Sequence, residues 1–155
     1  MKRLHLMLVT VTAAAALAAG LSTASAESQS IARAATVKTA ASPLGRILVD
    51  DRSRTLYLFE RDSRGHSACA GECAAYWPPL LAHGRPQAGR GAKQALLGVT
   101  RRADGSSQVT YAGHPLYRFA QDTKTGQTNG QGLQDFGGGW YVLSPAGKKI
   151  ERAAS

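Results

Sequence analysis

Cys69 and Cys73, spaced Cys-Ala-Gly-Glu-Cys, are the only cysteines in the chain, and together with the histidines they carry its most reactive side chains. Three kinds of chemistry suit them. Thiolate and imidazole are good ligands for zinc or copper, so His66 joins Cys69 and Cys73 as a metal candidate, with His83 or His114 as further donors. The histidines, however, lack the helical or ribbon spacing that would fix them together. Thiol–disulfide exchange is the second reading, although redox motifs usually place two residues between the cysteines and sit in a βαβ pattern that is missing here. The third is a structural disulfide, favoured by an even count at close spacing in an oxidising compartment. A loop of about five residues gives such a bond roughly 2 kcal/mol by chain entropy, which makes it a local staple. Gly71 would let the loop bend.

Searches for other catalytic patterns return nothing that assigns a catalytic residue or a cofactor. No nucleophile elbow, His-Glu-x-x-His helix, phosphate loop or haem-attachment motif occurs. Gly137-Gly138-Gly139 precedes a β-rich stretch and so lacks the helix N-terminus that would hold phosphate. Asp50, Asp51, Glu72 and Asp135 are acidic enough for paired-carboxylate chemistry, but the sequence sets no distance between them.

The compartment follows from the first 26 residues. Met1-Lys2-Arg3 is a basic start, Leu6 to Leu21 is apolar, and Ala24-Ser25-Ala26 fits the small-residue pattern before a signal-peptidase site. The apolar run is shorter than the roughly 20 residues that span a bilayer. Residues 1–26 therefore read as a signal peptide, and residues 27–43, rich in Ala, Ser and Thr without apolar period, as a flexible leader. Residues 44–152 are expected to form the domain. No cysteine follows the apolar run to carry a lipid, so the exported protein is expected in the periplasm or outside the cell, not evidently lipid-anchored.

Formal net charge is +9, of which Lys2 and Arg3 supply two, leaving about +7 after cleavage. That excess favours anionic surroundings: an envelope polymer, a membrane surface or an acidic envelope protein. Export and the scatter of the basic residues argue against nucleic acid.

The elements that position these groups are mostly strands. Arg46 to Asp50 and Thr55 to Glu60 flank a polar turn and suggest a hairpin, with Leu56 and Leu58 on one face and Tyr57 and Phe59 on the other. Both faces should thus be covered. Leu96 to Arg102 and Ser107 to Tyr111 flank Ala103-Asp104-Gly105-Ser106, a second turn signal. Leu116 to Phe119 and Trp140 to Ser144 read as further strands, Pro145-Ala146-Gly147 turns the chain towards Lys148 to Glu151, and Ala70 to Tyr76 reads as the one helical turn. The fold expected is mainly β: a small antiparallel domain of two related β units around one core.

The duplication is written in the aromatic residues. Leu56, Tyr57, Phe59 and Asp62 recur at a constant offset of 60 as Leu116, Tyr117, Phe119 and Asp122, while Trp77 and Trp140 lie 63 apart. Tyr57, Phe59, Tyr117 and Phe119 are read as core residues, since a small domain needs large buried rings. Trp77 and Trp140 are read as core aromatics as well. Asp62 and Asp122, just past their strands, are expected to accept backbone N–H groups and fix the following turns.

These paired Tyr-x-Phe-x-x-Asp motifs, with the stretches Gly45 to Leu80 and Tyr111 to Gly147, resemble a bacterial secreted-repeat family of unknown function, predicted lipoproteins with a Tyr-x-aromatic-x-x-Asp motif. The similarity runs from Leu44 to about Lys149. It implies an exported envelope protein and no established chemistry. The function expected is a non-catalytic binding or structural module for an anionic envelope polymer or partner. The alternative is a redox or metal-handling protein using Cys69 and Cys73.

Overall fold

The computed structural model describes residues 33–152 apart from residue 64; the expected signal peptide lies outside the described residues. The chain is mainly β, as expected, with three small sheets. In the first, β1 (Thr36–Ser42) and β2 (Gly45–Asp50) form a tight antiparallel hairpin from Val37 opposite Asp50 to Ser42 opposite Gly45, and β4 (Gln87–Ala88) joins β1 in parallel. In the second, β3 (Tyr57–Phe59) pairs with β9 (Gly138–Val142), which also pairs with β8 (Gln134–Asp135). The third joins β5 (Leu97–Arg101), β6 (Ser107–Tyr111) and β7 (His114–Pro115). A short helix, α1 (Glu72–Tyr76), occupies the stretch read as a helical turn.

Alternation along β2 and β3 decides how the interior divides. Ile47, Val49, Tyr57 and Phe59 point into a cluster with Trp77, Tyr117, Phe119 and Trp140. Leu48, Leu56 and Leu58 point the other way, into a cluster with Val37, Val109, Leu116 and Leu143. Both strands are covered on both faces, so successive residues can all be apolar. The interior thus has an aromatic side and an aliphatic side, each built from both halves of the chain.

Three expectations are corrected. Residues 36–42 are not flexible leader but the central strand β1, with Val37 fully buried and Thr39 N–H bonded to the Arg90 carbonyl at 2.9 Å. Ala, Thr and Lys disguise this strand, whose order comes from its hairpin with β2 and from bonds to the distant segment around β4. The expected β2–β3 hairpin is reduced to a single bridge between Val49 and Thr55, because β3 takes β9 as its ladder partner. Leu116 to Phe119 is not a continuous strand. Its backbone is shared out instead: Leu116 N–H goes to Val109, Tyr117 N–H to Tyr57 and Arg118 N–H to Pro78.

Candidate functional site: two clefts about a pseudo-dyad

The two motif tyrosines meet backbone to backbone. Tyr57 N–H donates to the Tyr117 carbonyl at 2.8 Å and Tyr117 N–H returns a bond to the Tyr57 carbonyl at 3.0 Å. This antiparallel bridge lies on the axis that relates the halves, and the side chains cross it. Tyr57 hydroxyl donates to Asp122 Oδ2 at 2.5 Å, and Tyr117 hydroxyl donates to Asp62 Oδ2 at 2.8 Å. Each motif is therefore closed by the aspartate of the other repeat. The second oxygen of each aspartate fixes its own loop, Asp62 Oδ1 accepting from Ala68 N–H at 2.7 Å and Asp122 Oδ1 from Asn129 N–H at 2.9 Å. Burial is the main cause that raises the pKa of both tyrosines and both aspartates, with Asp62 pushed up to about 6.

The rings follow the same crossing. Phe59 stacks on Trp140 at 4.0 Å, Trp140 on Trp77 at 3.9 Å, and Trp77 on Phe119 at 4.3 Å, a column of four rings ordered first, second, first, second repeat. Tyr57 meets Trp77 edge-on at 5.4 Å and Tyr117 meets Trp140 edge-on at 5.2 Å. Edge contacts of this kind place the positive rim of one ring against the negative face of the other. All six side chains are buried, and Phe59 and Phe119 reach the wall of a cleft. The exposed aromatic pair is a different one, Tyr76 and Phe136, with centroids 6.0 Å apart.

Cys69 and Cys73 are joined in a disulfide with Cα atoms 5.3 Å apart, both buried, with Cys73 in α1. The staple is held by the other repeat: Arg102, only 6% exposed, donates to the Cys69 carbonyl at 2.7 Å and to Ser67 Oγ and Gln108 Oε1 at 2.8 and 2.7 Å. Ser67 Oγ in turn lies 2.8 Å from the Tyr117 hydroxyl, linking staple, arginine and motif in one buried network. No local pattern marks Arg102 for this role. His66 is exposed and pairs by backbone with Ser63, and His83 is also exposed. Among the described residues no three His, Cys, Asp or Glu side chains stand together as a metal-binding group.

Each repeat aspartate borders a cleft, and the two clefts correspond across the dyad. One, of about 280 Å³, is lined by Leu58, Phe59, Glu60, Asp62, His114 and Lys149. Its mate, of about 230 Å³, is lined by Arg118, Phe119, Ala120, Asp122 and Arg54, the residues 60 positions away, with Thr55 and Pro78. The first is mixed in charge, Lys149 pairing with Glu60 and Glu151 at 2.7 Å each. Its mate is basic and continues into a groove of about 370 Å³ that shares Arg54 and Arg118 and adds Arg33, Arg52, Asp50, Asp51 and His83.

Asp50 is the anchor of this basic region. It is 1% exposed, and its Oδ1 accepts from Arg52 N–H at 3.0 Å and Arg54 N–H at 2.9 Å. Oδ2 takes both Nε and Nη2 of Arg54, at 2.8 and 2.7 Å. Arg118 is left with a distant contact, Nη1 to Asp50 at 4.0 Å, and a long bond from Nη2 to the Pro79 carbonyl at 3.4 Å. Its buried Nε has no partner among the described residues. Burial, then the nearby Arg54 charge, lowers the affinity of Arg118 for its proton.

No curated protein and no solved structure matches the chain. A family described as a secreted repeat of unknown function matches residues 38–81 and again residues 98–144, more than half of the sequence. The matched segments begin 60 positions apart and end 63 apart, the same two offsets that relate the motif residues and the tryptophans. No helix among the described residues is long and apolar enough to cross a membrane. Two matches, one on each side of the Tyr57–Tyr117 bridge, place this chain in the secreted-repeat family of unknown function.

Proposed function

We propose that this exported protein is a non-catalytic binding module of the cell envelope, periplasmic or extracellular, for an anionic polymer or partner. The observation that supports this most is the groove at Arg118, where four guanidinium groups share the wall with two carboxylates. The formal charge of +9 acts in the same direction by raising the local concentration of anions. The rigid interior is the scaffold: crossed tyrosines, a ring column and a buried staple keep the arginine-bearing backbone in place. The redox and metal reading at Cys69, Cys73 and His66 has weaker support, since both sulfurs are buried and already bonded to each other.

The test is salt-dependent retention on envelope material. Purified protein mixed with wall and membrane fractions should pellet at low ionic strength and be released progressively from about 0.05 to 0.5 M salt, as the Debye length falls below the spacing of surface charges. Retention that ignores salt, or no retention at any salt, contradicts the proposal.

A further inference from the structure

Duplication makes two of everything, so a feature present on one side of the dyad alone is not explained by the scaffold. Three of the positions at which the two sides differ give the second its arginine character. Arg118 stands where the first repeat has Leu58, and Arg54 where the second has His114. Asp50, opposite Val37 in the β1–β2 ladder, stands where the β5–β6 ladder has Tyr111 opposite Leu97. Leu58 is buried in the aliphatic cluster and Tyr111 is fully buried, so the uncharged choice satisfies the fold. The charged choice carries a cost, because Arg118 keeps only 26% of its side chain in solvent and is flanked by Arg54 and Arg52. Asp50 offsets it only in part, since four donors already occupy its two oxygens and Arg118 Nη1 stands 4.0 Å away.

We infer that the cleft at Arg54 and Arg118 is a single site per chain for the phosphodiester of a linear anionic polymer. This rests on the binding role proposed above and narrows it to one place and one chemistry. The basic side chains of the cleft and groove are arginines and not lysines, and planar guanidinium forks match the oxygens of a phosphate with paired, directional bonds. Arg52, Arg54 and Arg118 reach the groove wall on three separate stems, which suits a tetrahedral anion better than a flat carboxylate that one fork saturates. The half-covered Arg118 lies in a concavity, which a thin chain enters and a flat bilayer surface does not. Because the cleft and the groove share Arg54 and Arg118, a chain lying along both brings successive phosphates past the same two guanidiniums.

Calorimetric titration of the full chain with a short glycerol-phosphate oligomer tests this. A polyglutamate of matched charge density and vesicles containing anionic phospholipid serve as the other arms. The oligomer should bind at one site per chain and more tightly than either alternative. Arg118→Leu, which installs the residue type of the opposite repeat, should weaken it by about tenfold or more while melting stays unchanged or rises. Arg118→Lys should fall between, and Lys148→Leu, an exposed charge outside the cleft, should change little. Equal losses in Arg118→Leu and Lys148→Leu would overturn the site and leave the general binding role standing. Polyglutamate or vesicles binding as well as the oligomer would overturn the phosphodiester assignment. Absence of binding to all three by the unaltered chain overturns both.

Discussion

If the repeats are closed by each other's aspartates, the energetic coupling must cross between motifs. The perturbation is a double-mutant cycle on Tyr57→Phe and Asp122→Ala, set beside a second cycle on Tyr57→Phe and Asp62→Ala. Tyr57 is fully buried, Asp122 is 8% exposed, and their 2.5 Å bond is a short one to a carboxylate. A hydrogen bond to a charged group contributes about 1.5–3 kcal/mol, and the buried Gly130 N–H, which donates to the same hydroxyl at 3.3 Å, is also left unpaired. Tyr57→Phe alone should therefore cost about 2–4 kcal/mol, with a coupling to Asp122 on the order of 2 kcal/mol. Tyr57 and Asp62 share no hydrogen bond although they belong to one motif, so their coupling should stay within about 0.5 kcal/mol of zero. Urea unfolding at pH 7.5, followed by the fluorescence of the stacked Trp77 and Trp140, reads all four corners of each cycle. A coupling within the motif as large as the crossed one would refute the reasoning.

Other consequences are as direct. Asp62 is pushed up to about 6, chiefly by burial, from an ordinary carboxylate value near 4, so the folded state holds this proton more tightly than the unfolded one. The resulting stabilisation is complete below about pH 4 and is lost as pH rises through about 6, a change on the order of 2 kcal/mol that Asp62→Asn should flatten in urea titrations. His114, whose basicity burial lowers, acts with the opposite sign, so the variant is compared with the unaltered chain at each pH; identical slopes would contradict the assignment. Gly130→Ala should destabilise the fold by about 1–3 kcal/mol or more, because the new methyl would lie 2.6 Å from Trp77 Cη2 and 3.1 Å from Tyr57 Cε1. An unchanged urea midpoint would mean that the ring column is less tightly packed than described.

Much of the architecture was legible because it is written in local pattern. Alternation along Thr55 to Glu60 placed leucines and rings on opposite faces, and the structure sends them into separate clusters. The turn around Asp104 and Gly105 correctly separates β5 from β6, with Arg101 opposite Ser107. β1 was missed because its single buried apolar residue, Val37, gives no apolar period, and its parallel partner β4 is fixed only once the chain has folded back. The basic cleft was missed for a different reason. Matching positions between the repeats draws attention to what is shared, whereas Arg118 against Leu58 and Arg54 against His114 are differences at the same offset of 60. A comparison of the mismatches would have found them.

By itself the sequence determined the mainly β character, the duplication and the membership of the rings in the interior, since these follow from residue type and period along one segment. Only the tertiary structure decided which aspartate answers which tyrosine, that Arg102 of the second repeat holds the staple of the first, and that one of two equivalent clefts is lined with guanidinium groups. Those are contacts between residues 33 to 65 positions apart. Nothing in a local window specifies them, because they exist only when the two repeats have packed across their common axis.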